Sequence, residues 1–286
     1  MLTCVAPAKV NLVLEVLAKR DDGYHEIRSL VQTISLYDVL SFELADKNSF
    51  ECTEPSLQTS DNLVVQAAEL LRKVGGYDKG AKINLEKRIP WGAGLGGGSS
   101  DAATTLLALN GLWELKLTTL DLVELAARLG SDVPFFIYGG MALIEGRGER
   151  VTPLATSIQS WFVLLLPPVS RIPGKTQQLY SRLDASYFTG GHFAGKASKA
   201  WLQGGRLSPS LLFNVFDKVA FDAFPGLEDY WRRFEEKGGK NIHLVGSGLA
   251  LFAPVDSEDK AGEVCQRLCQ QGLEAYSVST VLPQVV

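Results

Sequence analysis

Apolar and polar residues alternate near the start of the chain, which predicts a β-strand there. Valine or leucine occupies every second position from 10 to 16, whereas Lys9, Asn11 and Glu15 lie between the apolar positions. Because successive side chains of a strand point to opposite faces, Lys9 and Asn11 share the face that points away from the apolar one. The pattern therefore predicts a strand that presents a lysine and an asparagine side by side.

Three helices are predicted in the first half of the chain. Asp61 is expected to cap a helix that ends at a pair of glycines. A second helix is expected directly after Ser100, since apolar or small residues recur at helical spacing from 102 to 113. Thr118 or Thr119 is expected to cap a third helix, which ends at Gly130. Short alternating segments between these helices predict further strands.

A second set of predicted strands and helices begins after residue 153. The continuous apolar run from Trp161 to Leu166 predicts a buried strand, and two short strands are predicted on either side of Gly246-Ser247-Gly248. A loop around a short helix is predicted near Trp201. Strands and helices mix without strict alternation, so we predict an α+β protein with two domains, residues 1–153 and 154–286.

Composition and charge exclude several classes of function. The chain of 286 residues carries 28 basic and 32 acidic side chains, so it has no general attraction to nucleic acid or to anionic membranes. No apolar run approaches the ~20 residues that cross a bilayer, and no secretory signal is recognised. Four cysteines in a chain of this length do not indicate a disulfide framework. We therefore expect a cytoplasmic protein with no nucleic-acid, membrane or protein partner.

A glycine-rich loop is the most informative segment. Five of the seven residues from 92 to 98 are glycine, and two serines and an apolar helix follow directly. Glycine loses more backbone freedom on folding than any other residue, so such a loop indicates positive φ angles or a close approach to the backbone. Free backbone N–H groups at the start of a helix attract anions. The segment therefore predicts a phosphate-binding site.

Three other interpretations of the loop fit less well. A Walker A loop requires a lysine before its final serine or threonine, and here Gly98 precedes Ser99 and Ser100. A dinucleotide fingerprint matches the glycine spacing, but the preceding residues are polar and end in Pro90, unlike a buried parallel strand. A flexible linker would need neither the helix after the loop nor the apolar Leu95 within it.

Five segments together resemble the GHMP kinases, the superfamily of galactokinase, homoserine kinase and mevalonate kinase. In chain order they are Ala6-Pro7-Ala8-Lys9-Val10-Asn11-Leu12, Asp22-Gly23-Tyr24-His25, residues 90–100, Leu129-Gly130-Ser131-Asp132-Val133-Pro134-Phe135-Phe136 and Val245-Gly246-Ser247-Gly248. The resemblance implies an N-terminal domain like the second domain of ribosomal protein S5, then a ferredoxin-like domain. It also implies transfer of the ATP γ-phosphate to an alcohol. Within the superfamily, the chain resembles kinases whose small-molecule substrate carries a cytidine diphosphate group.

The resemblance also implies roles for individual residues. Lys9 and Asp132 match the catalytic lysine and aspartate, and Asn11, Tyr24, His25 and Tyr180 are expected on the substrate side. Asn62 and Lys87 are expected near the adenosine of ATP. The ATP-binding loop itself comprises Pro90, Trp91, Gly92, Ala93, Gly94, Leu95, Gly96, Gly97, Gly98, Ser99 and Ser100.

Each of these residues also has a simpler interpretation. Lys9 fits a solvated lysine on an exposed strand face, Asp132 fits a helix N-cap, and Tyr180 fits a core aromatic residue. Mg²⁺ is expected with ATP, held chiefly by phosphates and water, and the sequence identifies no metal ligands. The alternative functions are another GHMP kinase, acting on homoserine, mevalonate or a sugar, and an ATP-binding sensor without catalysis.

Overall fold

In the computed structural model of the protein, which describes residues 1–155, 159–168, 174–204 and 208–282, the alternating segment at the start of the chain forms a strand. The strands of the described residues are β1 (Leu2–Lys19), β2 (His25–Ala45), β3 (Ser49–Cys52), β4 (Gly80–Glu86), β5 (Met141–Gly146), β6 (Arg150–Leu154), β7 (Trp161–Leu166), β8 (Phe213–Asn214), β9 (His243–Leu244), β10 (Leu251–Val255) and β11 (Glu274–Ser279). The helices are α1 (Leu63–Gly75), α2 (Gly97–Leu112), α3 (Thr119–Leu129), α4 (Val133–Tyr138), α5 (Lys175–Ser181), α6 (His192–Leu202), α7 (Ala220–Ala223), α8 (Leu227–Glu236) and α9 (Glu258–Cys269). Of the helices in this part of the chain, none combines the length and apolar character needed to cross a membrane.

These strands form two sheets. The first has the strand order β3-β4-β2-β1-β8, with β5 and β6 continuing from β2, and the second has the order β11-β7-β10-β9. β1 and β2 pair antiparallel, so that Lys9 lies opposite Thr33 and Asn11 lies opposite Val31. An irregularity between Asn11 and Val13 shifts this register. A bulge of this kind increases the local twist of a strand, and here it follows directly after the two predicted site residues.

The apolar core explains why β1 is covered on both sides. Helices α1 to α4 pack on the first sheet, and α8 and α9 pack on the second. A third cluster lies between the sheets, where Val10 and Leu12 of β1 join Phe162 and Leu164 of β7. Burial of apolar surface on both faces therefore joins the two halves of the chain along β1.

One local prediction was wrong, and a second was right about a helix but gave it too little length. Asn62, not Asp61, caps α1, because the Asn62 side chain accepts a hydrogen bond from the backbone N–H of Val64. The predicted short helix near Trp201 is an 11-residue helix, α6, which buries Trp201 between the sheets. The division at residues 153 and 154 stays a prediction, since β8 of the second half pairs with β1 of the first.

Candidate active site

Strand β1 holds Lys9 with its ammonium group buried against Asn11. Lys9 Nζ donates to Asn11 Oδ1 at 2.5 Å, and Asn11 Nδ2 donates to Ser29 Oγ of β2 at 2.8 Å. Ser29 Oγ donates in turn to the carbonyl oxygen of Val13 at 2.6 Å. Because Asn11 donates with one end of its amide and accepts with the other, this chain of hydrogen bonds fixes the amide's orientation toward Lys9.

Asp132 approaches Lys9 from the other side. It precedes α4, whose second residue is Pro134, but its side chain makes no capping hydrogen bond to that helix. A carboxylate oxygen of Asp132 lies 3.9 Å from Lys9 Nζ, and its side chain is 49% exposed. Burial lowers the pKa of Lys9, and the negative charge of Asp132 opposes that effect. The carboxylate therefore faces solvent while it remains beside a buried cation.

The glycine loop lies directly over this pair. The backbone N–H of Lys9 donates to the carbonyl of Leu95 at 2.9 Å, and the Leu95 side chain is buried. Gly96 has a φ of 74°, and a Cβ on it would lie 3.0 Å from Lys9 Cγ and 2.8 Å from Phe136 Cζ. A side chain at Gly96 would therefore displace either Lys9 or the ring of Phe136.

The first turn of α2 opens away from these contacts. α2 begins at Gly97, after an N-cap glycine that offers no side-chain cap. Gly98 is exposed, and a Cβ on it would meet nothing within 4 Å. The backbone N–H groups of the first turn have no partner within the helix, so this space suits an anion.

The Val245–Gly248 segment, between β9 and β10, contacts the glycine loop, Lys9 and Asn11. The backbone N–H of Asn11 donates to Val245 O at 2.8 Å. A Cβ on Gly246 would lie 2.9 Å from Asn11 Oδ1 and 3.1 Å from Lys9 Nζ, and a Cβ on Gly248 would overlap the carbonyl oxygen of Ala93. The Val245–Gly248 segment thus joins the β1 segment and the glycine loop, and its glycines are needed for close backbone approach.

Aromatic side chains line the other end of the site. His25 stacks on Tyr180 with ring centroids 4.6 Å apart, and Tyr180 meets the edge of Phe216. Burial, and then the negative charge of Asp132, raise the pKa of the Tyr180 hydroxyl. Burial, and then the charge of Lys19, lower the pKa of His25 from 6.5, which favours a neutral imidazole near pH 7.

The ring of Tyr24 is exposed, unlike that of Tyr180. Its side chain is 55% exposed, and the guanidinium of Arg147 lies 4.8 Å from its ring centroid. In contrast, one face of the Tyr180 ring is covered by His25. The structure therefore brings His25 and Tyr180 into contact, and leaves Tyr24 on the exposed turn beside them.

Comparisons with known proteins identify the family. Residues 62–140 match the family described as GHMP kinases N terminal domain. A 4-diphosphocytidyl-2-C-methyl-D-erythritol kinase of Dehalococcoides mccartyi is 47% identical over 283 residues, which cover 99% of this chain and 99% of that protein. The chain belongs to the GHMP kinase family. Its resemblance to the family, predicted from five short segments, is confirmed over nearly the whole length.

Solved structures of GHMP kinases agree in fold. A crystal structure of 4-(cytidine 5'-diphospho)-2C-methyl-D-erythritol kinase is 35% identical, with a TM-score of 0.84, and covers 98% of this chain and 99% of that one. A homoserine kinase from Cytophaga hutchinsonii is 18% identical, with a TM-score of 0.77. The match covers 99% of this chain and 95% of the homoserine kinase chain. The predicted α+β GHMP kinase fold is confirmed.

The two residues expected near adenosine have partners within this GHMP kinase. Asn62 Oδ1 accepts from Val64 N, and Asn62 Nδ2 donates to Leu57 O, both at 2.9 Å. Lys87 Nζ binds the carboxylate of Asp38 and lies 3.0 Å from Asp101 Oδ2. The Lys87 ammonium is thus already bound by two carboxylates, and the adenosine contacts of Asn62 and Lys87 stay predictions.

Several residues that shape this GHMP kinase site have no sequence signal of their own. Ser29 and Asp38 are single polar positions on a long alternating strand, and each is identified only by its partner in space. Asn214 donates to the carbonyls of Leu244 and Gly246, both at 3.0 Å, and so holds the Val245–Gly248 segment from a distant part of the chain. Asp101 alone stands out in sequence, as the one charged residue of α2.

Proposed function

We propose that this GHMP kinase transfers the γ-phosphoryl group of ATP to the 2-hydroxyl of 4-diphosphocytidyl-2-C-methyl-D-erythritol, in the non-mevalonate pathway to isoprenoid precursors. The observation that carries the proposal is the placement of the Lys9 ammonium, 2.5 Å from Asn11 and 3.9 Å from Asp132, directly under the glycine loop. The names of the full-length relatives supply the identity of the alcohol. The cytoplasmic location and the two-domain division stay predictions.

On the donor side, the open first turn of α2 is the proposed place of the triphosphate. Its backbone N–H groups and the positive end of the helix favour negative charge, and Gly98 leaves the approach free of side-chain atoms. Within the described part of the chain, no three histidine, cysteine, aspartate or glutamate side chains form a metal-binding group. A Mg²⁺ ion would accordingly be held chiefly by phosphate oxygens and water, and would supply positive charge beside the phosphates.

On the acceptor side, Asp132 is the proposed proton acceptor. Its half-exposed carboxylate accepts a hydrogen bond from the 2-hydroxyl and takes the proton as the new P–O bond forms and the bond from the γ-phosphorus to ADP breaks. A carboxylate is a weak base for an alcohol, but little proton transfer is needed early in a loose phosphoryl-transfer transition state. Lys9, 3.9 Å from that carboxylate, offsets negative charge on the transferring group.

Base recognition is assigned to the aromatic end of the site. A neutral imidazole has one donor and one acceptor nitrogen, so His25 can read the edge of a cytosine by hydrogen bonds. Its stacking on Tyr180 fixes the plane of the imidazole. Tyr24, with an exposed ring, is the proposed stacking surface for the base. Tyr180 supports the His25 imidazole from the buried side.

The alternative functions make different demands on these residues. A kinase for homoserine or mevalonate has no base to recognise, so it gives no reason for His25 to be held against Tyr180. A sensor without catalysis gives no reason to hold Lys9 and Asp132 3.9 Å apart. Both alternatives are therefore less well supported than the cytidyl kinase.

The test measures ADP release by the purified protein with ATP and each candidate alcohol in turn. We expect turnover with 4-diphosphocytidyl-2-C-methyl-D-erythritol, together with a new phosphomonoester signal in the ³¹P NMR spectrum. Asp132→Asn should abolish most of it, whereas Asp229→Asn, at an exposed aspartate of α8, should not. Turnover of homoserine or mevalonate, with none of the cytidyl substrate, would contradict the proposed acceptor.

A further inference from the structure

A buried cluster of three charged side chains lies beside the glycine loop and has no part in the chemistry described above. Lys87, at the end of β4, binds Asp38 of β2 and Asp101 of α2. The three side chains are 5%, 0% and 2% exposed, respectively. Charged groups are rarely buried this deeply unless they are paired, and such a cluster costs desolvation energy that a purely apolar core avoids. A specific geometric role would account for that cost.

The cluster joins the two ends of the glycine loop. Before the loop, Asp38 Oδ1 accepts from the backbone N–H groups of Arg88 at 2.6 Å and Ile89 at 2.8 Å. After the loop, Asp101 lies in the first turns of α2 and binds Lys87 Nζ at 3.0 Å. Since Lys87 also binds Asp38, the chain on both sides of residues 90–100 is attached to the same point on β2.

The Lys87 ammonium also touches the loop itself. A Cβ placed on Gly97, the first residue of α2, would lie only 2.7 Å from Lys87 Nζ. The oxygen Asp101 Oδ1 and the neighbouring hydroxyl oxygen Ser100 Oγ are both buried and have no hydrogen-bond partner. Buried polar atoms of this kind are uncommon in folded proteins. The cluster therefore supports the helix start that faces the proposed triphosphate, and is not a remote structural ion pair.

We infer that Lys87, Asp38 and Asp101 are positioning residues for nucleotide binding, which set the shape of the glycine loop by fixing both of its flanks to β2. This inference rests on the proposed function, in which ATP binds at that loop. None of the three side chains needs to touch ATP for this role. Each acts through the backbone on either side of the loop, and so sets the position of the first turn of α2, whose N–H groups are proposed to bind the phosphates.

The charge of the cluster provides a second readout. Burial, and then the charge of Asp38, raise the pKa of Asp101 to about 8, although Lys87 opposes the rise. Burial alone would lower the pKa of Lys87, but Asp101 and Asp38 outweigh it and raise that pKa, so Lys87 stays charged. The Cys52 thiol of β3, whose pKa burial raises, and the Arg88 guanidinium, which interacts with Asp38, also lie near the cluster.

These directions give a sign for the effect of pH. When Asp101 holds its proton the cluster is neutral, and when Asp101 is ionised the cluster carries one net negative charge beside the triphosphate. ATP affinity should therefore fall as the pH rises through about 8. This window lies above the range, near pH ~6, in which a phosphate monoester loses its second proton, so the nucleotide's own titration interferes little.

The experiment compares three variants of the full chain by calorimetric titration with ATP. Asp101→Ala removes the attachment of α2, and we expect the Kd for ATP to rise about tenfold, because a buried lysine loses a partner. Asp101→Asn can still accept from Lys87 and turn its NH₂ group toward the side where Asp101 Oδ1 has no partner. It should therefore keep an ATP affinity near that of the wild type and lose the dependence on pH between 7 and 9. Glu86→Gln, at an exposed pair with Arg88 next to the cluster, should behave as the wild type does.

The outcomes separate the inference from the proposed function. If the wild type itself does not bind ATP, the proposed function fails. If the wild type binds ATP and Asp101→Ala lowers the melting temperature while its folded form keeps the same Kd, the cluster is only structural and the inference is wrong. Should Asp101→Ala fail to fold, the Asp101→Asn pH profile decides, and a profile that matches the wild type would overturn the inference.

Discussion

The ammonium nitrogen of Lys9 lies 3.9 Å from a carboxylate oxygen of Asp132, although Lys9 is buried within β1 and Asp132 is half exposed before α4. This distance is long for a direct hydrogen bond but short enough for a strong electrostatic effect, since the lysine is desolvated. Lys9 makes its shorter contact with Asn11 instead. The half-exposed carboxylate thus lies beside a buried cation while its oxygens remain available to a substrate hydroxyl.

Removing either member of this pair should stop the chemical step. We expect Asp132→Asn to lower kcat by about 10²–10⁴-fold, the usual range for a proton-transfer group, with a much smaller change in KM. Lys9→Met should have a similar effect. Because the two act as a unit, the double variant should be no slower than roughly the slower single variant. Fully additive losses in steady-state kinetics would mean that the residues work independently.

The pKa of Lys9 predicts an alkaline limb in the rate profile. Burial disfavours the ammonium form, so Lys9 should lose its proton below the usual lysine value of 10.5, and activity should fall with it. The negative charge of Asp132 opposes this shift, so Asp132→Asn should move the titration to still lower pH. The ¹³C NMR shift of the Lys9 Cε carbon, assigned by its absence in Lys9→Met, measures this without relying on activity. A titration at 10.5 in both proteins would contradict the electrostatic account.

A substitution at Gly98 should weaken nucleotide binding without lowering stability. A Cβ at this position meets nothing within 4 Å, so Gly98→Ala should fold normally and gain a little stability, as alanine does in helices. The added methyl group would nevertheless lie where phosphate is proposed to approach, so ATP affinity should fall. Gly111→Ala is the matched control, since Gly111 lies at the far end of the same helix and also has open space around it. If calorimetry finds equal ATP affinity in both variants, the triphosphate does not lie over Gly98.

The strand pattern was sufficient to place Lys9 and Asn11 together, because period two is a local property of the chain. Their hydrogen bond confirms that they share a face. What the pattern could not show is that the face is buried. Burial of that face arises because Gly96 of the glycine loop lies against Lys9 and Gly246, much later in the chain, lies against both Lys9 and Asn11.

The local sequence also could not show which charged residues near the glycine loop are buried. The local sequence predicts an exposed side chain for Lys87, since it lies between Glu86 and Arg88 directly after a strand. Its burial depends on Asp38, 49 positions away, and on Asp101, 14 positions away. The helix cap was missed for a smaller reason, since Asp61 and Asn62 are both good capping residues and only the backbone geometry selects Asn62.

Ser29 should affect catalysis without touching substrate. Its hydroxyl accepts from Asn11 Nδ2, so Ser29→Ala leaves a buried amide without a partner and free to rotate away from Lys9. We expect kcat to fall about tenfold with little change in the KM for ATP. Ser41→Ala is the control, because Ser41 lies on the same strand and accepts a similar amide hydrogen bond from Asn84. In an Asn11→Ala background, Ser29→Ala should have no further effect on kcat, and an undiminished effect there would rule out this route.

The acceptor's base should be discriminated by His25. The cytosine of the proposed substrate lies far from the reacting hydroxyl, so its binding energy can orient that hydroxyl. Uracil replaces the donor amine of cytosine with an acceptor carbonyl, and a wrong base leaves buried groups unpaired. The uridyl analogue should therefore have a much lower kcat/KM with the wild type. His25→Ala should bring the kcat/KM values of the cytidyl and uridyl substrates closer together, in addition to any loss of rate with both. His192→Ala, at an exposed histidine of α6, should leave that ratio unchanged. Equal use of the two substrates by the wild type would remove base recognition from this site, and an unchanged ratio in His25→Ala would transfer the recognition to another residue.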